Sequence, residues 1–264
     1  FLGMSTKFCE CTLSTLYRKN HADESVAGGP MFYLQEGLAR IGRPKLGNAM
    51  AKFYALCMVI GCFGIGNMFQ SNQAAVILTS QLGEANFAYS NILVGLILAV
   101  TIGLVIIGGL KSIASVTSRL VPMMLVVYLV LVIIVLSLNY SLVDDAFVLI
   151  FSEAFTANGV SGGVIGAMII GFQRAVFSNE AGLGSAGIAH AAAKTDEPVT
   201  QGMVALLEPF IDSVVVCTMT ALVIVILVII PGEATNGISG IEMSIRAFDS
   251  AIPGSSPLLA IIAT

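Results

Sequence analysis

Charged residues are what this sequence has least of. Lysine and arginine number 12 and aspartate and glutamate 16 in 264 residues, 11% together, where an ordinary soluble domain carries about 25%. A soluble particle needs that polar coat, so a conventional globular enzyme domain is excluded. The same scarcity excludes a nucleic-acid binder with a basic face, and the 56% apolar content excludes a disordered chain. Tryptophan is absent, histidine occurs twice, and the five cysteines (Cys9, Cys11, Cys57, Cys62, Cys217) form no CxxC pair. Those counts point to no metal or disulfide framework, and the cysteines read as small buried hydrophobes. What is abundant is apolar sequence, with a mean hydropathy of +0.93. The class that fits is an all-α polytopic membrane protein.

Both ends fall inside apolar runs, FLGMSTKFCECTL and PLLAIIAT, so the chain reads as an internal stretch of a longer protein. No charged n-region with a small-residue cleavage site is present, and no signal peptide is expected. A membrane helix takes about 20 apolar residues. Runs of that kind fall at 1–17, 50–80, 90–110, 120–139, an irregular 159–190, and 201–230, with another beginning at 255–264. Lys7, Glu10 and Arg18 gather toward the exit of the first.

Lysine and arginine collect in alternate loops. The first holds Arg18, Lys19, Arg40, Arg43, Lys45 and Lys52, the third Lys111 and Arg119, and the fifth Lys194. Acidic residues dominate the others: Glu84 in the second, Asp144, Asp145 and Glu153 in the fourth, and Glu233, Glu242 and Asp249 beside a single Arg246 in the sixth. By the positive-inside rule, loops one, three and five are cytoplasmic. Lys7 counts with the same side, and the first span then runs from outside to inside.

The irregular fifth span carries the densest information. Residues 160–172 (VSGGVIGAMIIGF) make a helix of about 20 Å, too short to cross. Arg174 and Glu180 follow, each costing about 2.5–3.5 kcal/mol at the centre of a membrane helix. Gly182, Gly184 and Gly187 each weaken the helix by about 1 kcal/mol, while Ser178 and Asn179 can bond backbone groups that an unwound turn would free. The segment reads either as a broken helix of the kind that builds transporter sites, or as a glycine packing face with a snorkelling arginine. The glycines match GxGxxG, but no strand precedes them. Ser185 and His190 suggest a hydrolase dyad, yet five residues along a helix turn the two side chains about 140° apart.

Two other spans hold polar groups. Residues 61–74 (GCFGIGNMFQSNQA) place Asn67, Gln70 and Ala74 at i, i+3 and i+7 on one face. These amides can bind a substrate's carboxylate or ammonium or join helices by hydrogen bonds. In the sixth span, Glu208 and Asp212 sit at i and i+4 around Pro209, beside an expected kink. They read as a proton or cation relay, or as partners of Arg174. Gly108, Gly109 and Lys111 read as a helix end, and His21 and His190 as solvated or interfacial.

The stretch GFQRAVFSNEAGLGSAGIAHAAAKTDEPVTQGMVALLEPFIDSVVVCTMTAL, with GGPMFYLQEGL and FGIGNMFQSNQAA upstream, closely resembles the alanine or glycine:cation symporter family, the sodium:alanine symporters. The resemblance runs the length of the chain as one transmembrane transporter domain, residues 1–264. It implies a fold like the sodium-coupled leucine transporters, with two inverted five-helix repeats and alternating access. The spans then correspond to family helices two to seven and the start of eight, the broken span to the unwound helix six, and 231–254 to an extracellular loop over the entrance. The resemblance implies substrate contacts at Gln70, Phe177, Ser178 and Asn179, and gating or ion-pair roles for Arg174, Glu180, Glu208 and Asp212. Family helices one and most of eight are missing, so this stretch by itself is not expected to transport.

The function expected is symport of alanine or glycine with sodium, or with protons, across the cytoplasmic membrane as a multi-pass protein. The lipid bilayer is its surroundings, and no nucleic acid, protein partner, catalytic residue or resident metal is expected. The alternatives from other classes are an intramembrane hydrolase using Ser185, or the pair Glu208 and Asp212, and an ion channel.

Overall fold

The structure, a computed structural model, describes residues 2–20, 26–81, 90–154, 164–232 and 241–252. His21, Glu84, residues 160–163, Glu233 and the expected last span at 255–264 lie outside the described residues. The chain divides into two compact units, Phe1–Phe63 with Glu153–Thr218, and Gly64–Ser152 with Met219–Thr264. Nearly everything described is helical. The exception is an antiparallel pair of two-residue strands, β1 (Lys19–Asn20) and β2 (Val26–Ala27), with Lys19 opposite Ala27.

In the first unit, α1 (Leu2–Leu16) packs against α9 (Ser185–Ala191) and α10 (Pro198–Pro209), while α2 (Pro30–Arg40) packs on α3 (Pro44–Gly61). Three of these helices begin with proline, which loses nothing at a position whose N–H has no intrahelical acceptor. The core here is made of small residues: Cys11, Ala186 and Ala205 form its buried cluster. Gly202 of α10 is part of the same contact. A Cβ there would overlap the Thr12 hydroxyl and stand 2.9 Å from the Phe8 carbonyl oxygen, so only glycine lets α1 lie this close. Packing of this kind holds helices together where lipid removes the hydrophobic drive. α8 (Val164–Asn179) belongs to the same unit and reaches the turn after α10.

The second unit holds α4 (Phe69–Gln81), α5 (Ser90–Ile107), α6 (Gly109–Leu138), α7 (Val143–Ala154), α11 (Cys217–Ile224) and α12 (Ile241–Ala251). The unit boundaries fall within or close to the ends of α7 and α11. Val132, Val135, Val223, Val228, Ala247 and Phe248 form one buried cluster. The Tyr128 ring meets Phe248 at 5.9 Å and 58°, and its hydroxyl bonds Thr220.

Pro44–Thr79, Ser112–Leu138 and Pro198–Ile229 are long and apolar enough to cross a membrane, and Ile92–Ile107 is a shorter apolar helix. Their outer faces carry large exposed apolar side chains such as Leu104 and Phe53, an arrangement that lipid tolerates and water does not. The cysteines follow suit. All five are free, and only Cys11 is buried, which corrects the expectation of five buried thiols: on a lipid-facing helix an apolar thiol needs no burial.

Other boundaries also shift. The expected third loop shrinks to a turn at Gly108–Gly109, where Gly109 takes φ +70°, so Lys111 and Arg119 belong to α6. The fourth loop is mostly α7, with Asp144 and Asp145 in its first turn, where carboxylates oppose the helix dipole favourably. Two spans widen into π-turns, one at Cys62–Met68 and the other at Phe210–Val216 and again at Val225–Ile229. The first follows Gly61, and the second follows Pro209, which has no N–H to return to the carbonyl four residues back.

Gly202→Val is expected to lower stability by about 1–3 kcal/mol through overpacking, whereas Gly61→Ala, with open space around its added carbon, is expected to be neutral or slightly stabilising. Thermal unfolding of the detergent-solubilised proteins checks the contrast.

Candidate functional site

α8 stops at Asn179, and the backbone leaves the right-handed region at Glu180 (φ +53°), Gly182 (φ +88°) and Gly184 (φ +87°) before α9 begins at Ser185. The glycines take this conformation without penalty. Glu180 is the one non-glycine residue among those described with positive φ, and its carboxylate accepts a 2.6 Å bond from the Ser185 hydroxyl. The freed backbone groups are met locally. Asn179 Oδ1 accepts the Ala181 N–H at 2.9 Å, and the Tyr54 hydroxyl donates to the Leu183 carbonyl at 3.0 Å.

Two charges of α1 complete the break. Lys7 is 3% exposed and Glu10 5%. The Lys7 ammonium donates to the Asn179 carbonyl at 3.0 Å and pairs with Glu208 Oε2 at 3.0 Å. Glu10 accepts the Gly182 N–H on Oε2 at 3.0 Å and the Gly187 N–H on Oε1 at 3.4 Å. At the far end, the Arg18 guanidinium donates to the carbonyls of Ala191, Ala193 and Thr195 at 3.3, 2.6 and 2.7 Å, closing α9 as cations do at helix C-termini. On the loop helix α2, burial first and the Glu10 charge second push the Tyr33 phenol up to about 12, so it stays protonated.

Beside the break lies a cavity of about 370 Å³, whose polar lining is Lys7, Ser178, Asn179, Glu180, Glu208, Asp212 and His190. The Ser178 hydroxyl donates to Asp212, and Asn179 Nδ2 donates to the Ser213 hydroxyl at 3.4 Å. Glu208 Oε1 meets His190 Nε2 at 2.6 Å, and Gln201 meets His190 Nδ1 at 2.6 Å. One lysine therefore faces three carboxylates.

Of the residues singled out from sequence, Ser178, Asn179, Glu180, Glu208 and Asp212 line this one cavity. Phe177 is half-buried on the last turn of α8. Gln70 is exposed on α4, in the second unit. Arg174 is exposed, with no ion-pair partner among the described residues. The cation at Glu208 is Lys7, brought there because Gly202 lets α1 close on α10. Lys7 and Glu10 thus have their partners at the break, and His190, 12% exposed on its side chain, is held between Glu208 and Gln201 rather than free in solvent. Ser185 bonds Glu180 while both ring nitrogens of His190 are engaged elsewhere, so no serine–histidine dyad forms. Tyr54 escaped sequence reasoning, and Lys7, Glu10 and His190 were noted there but given other roles. The available signal was the i, i+3 spacing of Lys7 and Glu10 inside an apolar stretch.

The family model described as "Sodium:alanine symporter family" matches residues 1–264. The chain belongs to this family. Among its relatives, the sodium/alanine symporter AgcS of Methanococcus maripaludis is 39% identical over 254 residues, 96% of this chain and 54% of that protein. The amino-acid carrier protein AlsT of Bacillus subtilis is 33% identical over 263 residues, 99% of this chain and 53% of the relative. The probable sodium/glutamine symporter GlnT of the same organism is 30% identical over 263 residues, 99% and 52% respectively. The chain spans about half the length of these relatives.

Within this symporter-family chain, Lys7→Met leaves the Asn179 carbonyl and Glu208 without their cation. Glu208 is 45% exposed on its side chain, which moderates the loss to about 1–3 kcal/mol. Adding Glu208→Gln is expected to recover about 1 kcal/mol of it in a double-mutant cycle of unfolding free energies; strict additivity would contradict the pairing.

Proposed function

We propose that this chain forms part of a secondary symporter that moves alanine or glycine with sodium across the cytoplasmic membrane. The observation that carries the reading is the break at 180–184, which gathers Ser178, Asn179, Glu208 and Asp212 around one cavity in a chain of the sodium:alanine symporter family. An interrupted helix exposes backbone donors and acceptors at a depth where an intact helix offers none, and that is what a zwitterion needs. The carboxylate excess over Lys7 favours cationic groups, whether the substrate ammonium or the coupling ion. Asn179 and neighbouring backbone groups supply polar contacts, and Phe177 closes the apolar side. Gln70 contributes a further contact, and Arg174, Glu180, Glu208 and Asp212 act in gating or ion pairing.

The same reading takes the protein as multi-pass, with the first, third and fifth connections in the cytoplasm, and its fold as an inverted-repeat, leucine-transporter-like one working by alternating access. It assigns sodium, rather than the proton, as the driving ion, which is a substrate of transport. A pocket separates a methyl from a hydrogen by only about 1–3 kcal/mol, so glycine and alanine both enter.

Proteoliposomes carrying the complete gene product are expected to accumulate labelled alanine only under an inward sodium gradient. Uptake indifferent to both sodium and proton gradients would sink the reading, and uptake driven by protons alone would reassign the ion. Asn179→Ala is expected to weaken alanine binding about tenfold, the worth of one hydrogen bond to a charged group. Gln70→Ala is expected to weaken it less. Equilibrium binding of labelled alanine measures both, and unchanged affinity in the two variants would remove these residues from the site.

A further inference from the structure

We infer that Glu10 is a positioning residue for the substrate site, acting through the backbone of the break rather than by touching substrate. The proposal rests on the reading that substrate is held at the break. Glu10 lies off the cavity that Ser178 and Asn179 line; it faces a second cavity of about 430 Å³ beside Tyr33 and Gly182. Its carboxylate nevertheless spans the interruption. One oxygen takes the Gly182 N–H and the other the Gly187 N–H, groups five residues apart on the two sides of the Gly184 turn. A single side chain thereby fixes both the path of the unwound segment and the start of α9.

Lys7 complements it from the same face of α1, three residues away. The end of α8 presents carbonyls and carries partial negative charge, while the start of α9 presents N–H groups and carries partial positive charge. Lys7 meets the first at the Asn179 carbonyl and Glu10 meets the second. Cation and anion are thus matched in order to the two ends of the interruption, and both are buried. Without Glu10, the Gly182 and Gly187 amides lose their acceptor and the unwound turn loses its fixed shape, so the groups around Asn179 no longer stand preorganised for a ligand.

The test combines hydrogen exchange and alanine binding on the complete gene product in detergent or nanodiscs. Glu10→Ala is expected to speed amide exchange over residues 182–187 about tenfold, leaving residues 112–138 unchanged, and to raise the dissociation constant for alanine about tenfold. Glu10→Gln, which keeps one neutral acceptor, is expected to restore part of both. Wild-type exchange over 182–187 in the folded Glu10→Ala variant overturns the proposal; should that variant not fold, wild-type exchange in Glu10→Gln overturns it equally. Faster exchange with unaltered alanine affinity also overturns the positioning role. If the unmutated protein binds no alanine, the symporter reading fails instead, and the exchange measurements still decide whether Glu10 holds the break.

Discussion

An interrupted helix frees backbone groups that, wherever lipid rather than water surrounds it, must be answered by the protein or by a bound ligand. Most of what is unusual in the first unit follows from that constraint. The interruption between Asn179 and Ser185 releases the last carbonyls of α8 and the first N–H groups of α9. Among these, Lys7 meets the Asn179 carbonyl and Glu10 the Gly187 N–H, while within the turn Asn179, Glu10 and Tyr54 meet the Ala181 N–H, the Gly182 N–H and the Leu183 carbonyl. Four side chains from three helices converge on a few residues of main chain. A plain glycine packing face would need none of them, and the helix is interrupted at Glu180–Gly184.

The convergence demands close approach, and the small residues supply it. Lys7 and Glu10 can reach the break only if α1 lies nearly backbone to backbone on α9 and α10, which Gly202, Ala205 and Ala186 permit. The polar site and the small-residue core are therefore one design problem: a bulkier residue at 202 would push α1 away and strand two buried charges. Burying those charges costs several kcal/mol each unless they are paired or hydrogen-bonded. Here Lys7 has both a carboxylate and a carbonyl, and Glu10 has two backbone donors, so the cost is offset locally.

Much of this was legible in the residue string, and what was not has a common cause. The break itself showed, because Arg174, Glu180 and three glycines have no place in an uninterrupted span. Ser178, Asn179, Glu208 and Asp212 were each singled out, but Glu208 and Asp212 were expected to form a relay or to pair with Arg174, and their meeting with Ser178 and Asn179 around one cavity appears only in the structure. The partners did not show. The bonds from Lys7 and Glu10 to the break join residues 172 or more positions apart in sequence, and no local spacing records a pairing at that distance. Three residues apart near the end of an apolar run, the two charges looked like the mouth of a span. Helices α7 and α12 were missed for a different reason. They are short and mix charge with apolar residues, a pattern that composition assigns to loops until a buried face such as Ala247 and Phe248 is seen.

The π-turns belong to the same logic. The chain passes between its two compact units three times, at Phe63–Gly64 inside the π-turn Cys62–Met68, at Ser152–Glu153 within the regular helix α7, and at Thr218–Met219 just beyond the π-turn Phe210–Val216. A regular α-helix presents one continuous stripe, so a helix serving two units would have to carry small or polar residues down its whole length. An added residue in one turn rotates everything after it and lets the stripe change face. Before the second π-turn, Gly202, Ala205 and Glu208 serve the first unit; after it, Leu222, Val223 and Ile226 are buried in the second. Asp212 sits within the turn itself, and π-turns concentrate at functional positions because they free backbone groups and re-aim side chains. Proline at 209 makes that turn cheap, since the position has no N–H to lose. The stretch Pro198–Ile229 thus lines the candidate cavity with Glu208 and Asp212 toward one end and contributes Leu222, Val223 and Ile226 to buried clusters toward the other.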